Sequence, residues 1–249
     1  MLELKDIYKS FNKGTVDEVQ VLKGINLRIE DGDFVTLVGN NGAGKTTLLN
    51  IISGSQFPDE GRVIIDGVDV TTMPEYKRGR MIGRVFQDPL MGTAPSMTIN
   101  ENMALALKRG KKLGLKWGIS SNTRNIIRDN LKILSLGLEE RGKASVGLLS
   151  GGQRQAITLL MATMARPRLL LLDEHTAALD PRAASLISEL TERIVGETGV
   201  AAIMVTHNLS SALSMGNRLI MMENGRISLD AKGEEKKRLT HEELLAMYA

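Results

Sequence analysis

The sequence predicts an α/β fold: a strand-and-helix frame with a helical segment inserted in it. Three observations carry this. Short continuous apolar runs at 34–38, 169–172 and 200–206 have the length and composition of strands buried on both faces. Each run is followed by a helical stretch, at 46–53, 181–195 and 209–215. Between the first and second runs, residues 90–165 read as mostly helical.

The elements follow in order. Leu2, Leu4 and Ile7, then 21–29, alternate imperfectly with polar residues, which predicts strands ahead of the first buried one. Asp31-Gly32-Asp33 is a turn signal, 61–66 reads as a further strand, and Asp66-Gly67 closes it. Thr98-x-x-Glu101 is a capping box that starts a helix through Leu107. In 123–136, Ile127, Leu131 and Leu134 share one helical face, and Ile126 and Ile133 are expected to widen it on either side. A third helix, 153–165, stops before Pro167. Residues 218–222 read as a strand, Asn224-Gly225 as a hairpin turn, and the charged end from Gly233 as a peripheral helix. There is no internal repeat and no low-complexity linker. The chain therefore reads as one domain: 1–89 and 166–232 form the core, about 90–165 a helical subdomain, and 233–249 a peripheral helix.

Composition narrows the function classes. Aromatic residues are only 3% of the 249, so the core must rest on Leu, Ile, Val, Met and Ala. With no Cys, disulfide scaffolds, thiolate zinc sites and Cys nucleophiles are excluded. No 18-residue apolar run is present and the N-terminus lacks a signal-peptide pattern, so a cytoplasmic location is expected. A net charge of +3 is too mild to imply a nucleic-acid partner. The stretch 105–125 holds Lys108, Arg109, Lys111, Lys112, Lys116 and Arg124 with no acid. It reads as a solvated face, or as a surface near anionic lipid or a partner.

Three motifs carry chemistry. Gly39-Asn40-Asn41-Gly42-Ala43-Gly44-Lys45-Thr46 fits G-x-x-x-x-G-K-[ST], between a buried strand and a helix. Glycines let the backbone curl so that N–H groups face phosphate oxygens, and the helix N-terminus adds positive potential. Lys45 would reach the β- and γ-phosphates of ATP, and the Thr46 hydroxyl would ligate Mg²⁺, with Thr47 beside it. At the end of the run 169–172, Asp173 can hold Mg²⁺ and Glu174 can polarise an attacking water. Finally, Leu149-Ser150-Gly151-Gly152-Gln153 opens the helix 153–165 and forms a second glycine-bearing helix N-terminus. One nucleotide has no evident need of two such cradles. A head-to-tail pair of chains solves this, the second cradle closing on the partner's γ-phosphate.

Along most of its length the chain resembles the ATPase subunits of ABC transporters. Leu149 to Gln153 matches the family signature, and the phosphate loop (Walker A) and Asp173-Glu174 (Walker B) lie in the family's order. The resemblance implies a P-loop ATPase of ABC type: a RecA-like mixed-sheet core, an N-terminal antiparallel β subdomain and an inserted helical subdomain. It also implies roles. Gln87 would be the Q-loop ligand of Mg²⁺ and the link to the helical subdomain. His207 would be the switch histidine on the γ-phosphate, and Ala178-Leu179-Asp180 the D-loop that crosses to the partner. Phe11 would stack on adenine, with Tyr8 a nearby competitor. His175 departs from the family, where Pro is common beside this glutamate, and receives no catalytic role. The expected assembly is a homodimer sandwiching ATP, held at the inner face of the cell membrane by separate permease subunits. The stretch from Asp88 to Thr98 is similar to ATPases of bacterial importers, some suspected of carrying aromatic amino acids, and importers of this kind also use a solute-binding protein. The alternatives are an ATPase of the lipoprotein-release or macrolide-efflux type, which the long segment between Phe11 and Val21 resembles, and a soluble ABC ATPase such as one serving iron–sulfur cluster assembly.

Overall fold

The computed structural model of the chain describes residues 1–110 and 119–248. Its order is β1 (Leu2–Phe11), β2 (Val19–Ile29), β3 (Phe34–Gly39), α1 (Lys45–Ser53), β4 (Glu60–Ile65), β5 (Val68–Asp69), α2 (Glu75–Arg78), β6 (Ile82–Val85), α3 (Ile99–Leu107), α4 (Ser121–Lys132), α5 (Gly151–Met164), β7 (Leu169–Asp173), α6 (Pro181–Thr198), β8 (Ala201–Val205), α7 (Leu209–Ser214), β9 (Arg218–Glu223), β10 (Arg226–Lys232), α8 (Glu234–Arg238) and α9 (His241–Tyr248).

Two sheets result. One has four strands in the order β2-β1-β4-β5, with antiparallel pairing. The other has six, β10-β9-β3-β8-β7-β6, parallel except for β10 at one edge. The parallel strands are buried on both faces, and their period of two divides the core. Leu169 and Leu171 of β7 and Ile203 and Val205 of β8 face a cluster built with α1 and the four-stranded sheet. Leu170, Leu172, Ala202 and Met204 face a cluster built with α3 to α6.

The imperfect alternation in β1 has a local cause. The pairing register shifts between Leu4 and Ile7 against β2, and between Lys5 and Tyr8 against β4. Asp6 sits there with a left-handed φ of 48°, a β-bulge held by reciprocal hydrogen bonds with the Asn26 side chain.

The capping box at Thr98 starts α3 as expected. Helix α4 starts at Ser121, two residues before the expected 123, and ends at Lys132, before the expected 136. It buries Ile127 and Leu131, and Leu134 just beyond it is buried too, whereas Ile126 and Ile133 are exposed. At about 100° per residue both fall on one flank of the buried stripe rather than on either side of it. The C-terminal stretch forms two helices rather than one, and it is anchored: Leu244 is buried against β9, and the Lys236 ammonium donates to the Met215 and Gly216 carbonyl oxygens. In the basic stretch, Lys111, Lys112 and Lys116 lie outside the described residues. Arg109 is half-buried instead of solvated, and burial pushes its guanidinium below its usual range.

Candidate functional site

Four adjacent parallel strands, in the order β3-β8-β7-β6, deliver the site at their carboxyl ends. β3 runs into the glycine loop and β8 into Thr206 and His207. β7 ends in Asp173 and Glu174, and β6 leads through Phe86 to Gln87.

The glycine loop is shaped by close approach as well as by dihedral angle. A Cβ on Gly39 would stand 2.2 Å from the Met222 carbonyl oxygen, and one on Gly44 would stand 2.7 Å from Leu22 Cδ2. Both residues also have positive φ. Asn40, Asn41 and Gly42 are exposed and Ala43 is buried. No side chain caps the N-terminus of α1 and no acid lies in its first turn, so its amides and positive end suit an anion. The Lys45 ammonium is buried and donates to the Gly39 and Asn40 carbonyl oxygens at 2.6 and 3.0 Å. Burial lowers its pKa, and the carboxylates of Glu174 and Asp173 partly oppose the shift. Thr46 is exposed and Thr47 half-buried.

Thr46, Gln87 and Asp173 line one cavity of about 580 Å³. Their hydroxyl, amide and carboxylate oxygens are the hard donors that a small divalent cation takes. Glu174 and His207 line a second cavity of about 780 Å³ with Thr176 and Pro181. There Glu174 Oε1 lies 2.6 Å from His207 Nε2. Glu174 holds a left-handed φ of 47°, a strained backbone for a residue with a side chain. Its amide donates to the Val205 carbonyl at 3.1 Å, which ties the turn to β8.

The signature residues line neither cavity. Ser150 caps α5, accepting from the Gln153 amide, while the Gln153 side chain accepts from the Ser150 amide. Gly152 packs so closely on α6 that a Cβ would lie 2.9 Å from Ala183 Cβ, whereas Gly151 is exposed. Asp180 caps α6 by accepting from Arg182 and Ala183 amides. Phe11 ends β1 half-buried, with the Lys9 ammonium 5.8 Å from its ring centroid. Tyr8 is engaged elsewhere: its phenol lies over Gly24, where a Cβ would meet the hydroxyl at 2.8 Å.

The sequence did not point to several side chains that shape the site. Arg84 on β6 donates to Asp173, Asn50 and Ser53. Gln155 on α5 donates to the Phe86 carbonyl next to Gln87, which joins the signature helix to that loop. Asn102 on α3 bonds both the amide and the carbonyl of Ala94 and the carbonyls of Met97 and Thr98, fixing the end of the 88–98 stretch. His175, noted in the sequence only as a departure from the family, is buried against Thr191. Each of these depends on a partner distant in sequence or on a loop conformation, which local patterning does not display.

Comparison with known proteins gives consistent matches. The sequence model of the ABC transporter family matches residues 22–177. A tyrosine transport ATP-binding protein of Clostridioides difficile is 46% identical, over 100% of this chain and 98% of that one. A spermidine/putrescine import ATP-binding protein of Spiroplasma citri is 38% identical over 91% of this chain, which spans 60% of the relative's length. Among solved structures, a dimeric ATP-binding cassette in a post-hydrolysis state, bound to ADP and Pi, is similar with a TM-score of 0.78 and 31% identity, covering 93% of this chain and 98% of that one. The ADP conformation of another cassette has a TM-score of 0.79 and 28% identity, covering 100% and 97%.

Proposed function

This chain belongs to the ABC transporter family and is an ATPase, and from that premise we propose that it powers a bacterial importer of an aromatic amino acid. The end-to-end similarity to the tyrosine transport protein carries the aromatic-amino-acid reading, and the match to a spermidine/putrescine import protein over 91% of this chain supports the direction. Among the described residues no helix is long and apolar enough to cross a membrane, and in the proposed complex separate permease subunits form the path for solute. A groove of about 380 Å³ between the 88–98 stretch and α3, lined by Met91, Ala94 and Leu105 together with the polar Thr93, Asn102 and Arg109, offers a mixed seat for a permease. A solute-binding protein completes the proposed complex on the other side of the membrane, and the ATPase sits peripherally on the cytoplasmic face. We read 90–165 as the helical unit that relays motion between the groove and the nucleotide, within the single domain.

The motifs and the placement of their residues support the following roles. The loop 39–47, with Lys45, cradles the triphosphate, and Phe11 at the end of β1 stacks on adenine. Thr46, Gln87 and Asp173 hold Mg²⁺, which supplies charge neutralisation on the phosphate oxygens when bound. Glu174 accepts the proton of the attacking water, and His207 orients that carboxylate and meets the γ-phosphate. Ser150, Gly151, Gly152 and Gln153 of a second copy close over the same nucleotide, and Asp180 sets the loop that borders it. A general base contributes on the order of 10²–10⁴ in rate, so Glu174→Gln should bind ATP and stall.

That variant gives the test. Tagged Glu174→Gln is isolated with ATP from detergent-solubilised membranes and its companions are identified by mass spectrometry. A stoichiometric polytopic permease with a co-purifying binding protein is the expected result. A permease of the lipoprotein-release type without a binding protein, or a soluble dimer on a cytosolic scaffold, overturns the importer reading and leaves the ATPase standing.

A further inference from the structure

Arg84 stands inside the cavity that gathers Thr46, Gln87 and Asp173, and none of the roles above uses it. It is 12% exposed, and one of its terminal nitrogens donates to Asp173 Oδ2 at 3.2 Å and to Asn50 Oδ1 at 2.8 Å. The other donates to Ser53 Oγ at 3.2 Å. Its guanidinium carbon lies 4.7 Å from the centroid of the Phe86 ring, a cation–π contact one residue before Gln87. Asn50 and Ser53 belong to the last turns of α1, whose negative end also favours a cation. The Arg84 Nε is buried without a hydrogen-bond partner.

We propose that Arg84 is a resident counter-charge for the Asp173 carboxylate, and that it weakens the cation site it borders. This rests on the reading of Asp173 as a metal-site residue. A carboxylate at the mouth of a phosphate site, 14% exposed, has lost much of its water. In the protein without nucleotide, Arg84 supplies the opposite charge that the cation supplies later. When Mg²⁺ arrives with ATP it meets a carboxylate already neutralised and a fixed positive charge beside it. Linkage makes the effect reciprocal: if Arg84 lowers metal affinity, the metal loosens Arg84 from Asp173 by the same factor. The same side chain touches α1 and stacks on Phe86, so that release would be felt at the phosphate-loop helix and beside Gln87. Arg84 acts as a positioning residue and contacts neither phosphate nor water in this scheme.

The test measures Mn²⁺ binding directly, with the free ion followed by electron paramagnetic resonance in saturating ADP, on the full chain. Arg84→Gln keeps an amide donor for Asn50 and Ser53 but removes the charge, and Arg84→Met removes both. Both should bind Mn²⁺ more tightly, on the order of tenfold, the size of an ordinary coupling between neighbouring sites. Arg84→Lys should stay close to the parent. Without nucleotide, Arg84→Gln should melt earlier than the parent, and the loss should shrink in an Asp173→Asn background. Unchanged or weakened Mn²⁺ binding in both neutral variants, with Asp173→Asn clearly weakened, overturns the counter-charge role and leaves the site standing. Asp173→Asn binding Mn²⁺ as the parent does overturns the site reading, and the inference with it.

Discussion

His175 follows Glu174 in sequence and is 2% exposed, with Nε2 standing 2.9 Å from Thr191 Oγ1. That hydroxyl donates its own hydrogen to the Ile187 carbonyl at 2.7 Å, so the ring must be the donor, and a neutral Nε2–H imidazole satisfies the pair. Burial pushes its pKa from 6.5 down to about 4. The unfolded chain therefore binds a proton over this window that the folded chain does not. Stability is full above about pH 6.5 and falls as the pH drops toward 4, by ~3 kcal/mol for a difference of about 2.5 in pKa. Denaturant unfolding across that range should give a flatter profile for His175→Asn than for the parent. An equal slope would mean that His175 is not the titrating group. Gly39 supports a second prediction at this scale. Gly39→Ala adds a methyl 2.2 Å from a backbone oxygen that cannot swing away. It should cost about 2–4 kcal/mol and lower ATP affinity together with thermal midpoint, because the clash pushes β9 from the phosphate loop.

Helix α1 carries the phosphate loop at one end and is gripped at the other. Arg78, the last residue of α2, is fully buried, and it donates four hydrogen bonds to carbonyl oxygens: Ile51 and Ile52 at the end of α1, and Met73 and Thr71 in the loop between β5 and α2. Burial lowers its pKa to about 10, with Asp69 opposing, so it stays a cation at neutral pH. Arg78→Met removes the donors and strands those oxygens. It should cost ~3 kcal/mol, read as a thermal midpoint roughly 10 °C lower without ligand. A midpoint within a degree or two of the parent would show that water replaces the guanidinium. Such an element-level device was not legible in the sequence. What was legible had a period or a motif: the two-face-buried strands, the capping box at Thr98, and the phosphate loop in its strand–loop–helix setting. The segment that holds Arg78 and Arg84 had neither. α2 is four residues long, and β6 is four residues interrupted by Gly83 and by an inward-facing arginine. Gly83 is there because β6 passes beneath α5, where a Cβ would lie 2.4 Å from the Ala162 carbonyl oxygen. The partners of Arg84 and Gln155 lie 89 and 69 residues away, Asp173 and Phe86, beyond the reach of any local pattern.

Within one chain the phosphate loop and the signature helix serve different neighbourhoods, and Gly151 shows how a second copy would use that separation. Gly152 needs its missing side chain for packing against Ala183, but a Cβ on Gly151 would meet only Leu179 Cδ2, at an ordinary 3.4 Å. Gly151 is exposed and its φ is not positive, so neither crowding nor backbone strain inside the chain calls for glycine. The position is open to something that approaches from outside, and an anion seated on the N-terminus of α5 fits it. Gly151→Asp therefore separates folding from assembly. It places a carboxylate in the first turn of a helix, where a negative charge is tolerated or mildly stabilising, so the thermal midpoint should match the parent. ATP binding by the monomer should persist, because loop 39–47 belongs to the same chain. In the Glu174→Gln background, sedimentation with Mg²⁺ and ATP should show a dimer, and adding Gly151→Asp should leave it monomeric. In the otherwise unaltered chain the same change should lower ATPase turnover by about 100-fold or more, as for the loss of a donor to transition-state charge. A dimer that survives Gly151→Asp would mean that the two copies meet through another face and that the signature glycines serve only to start their helix.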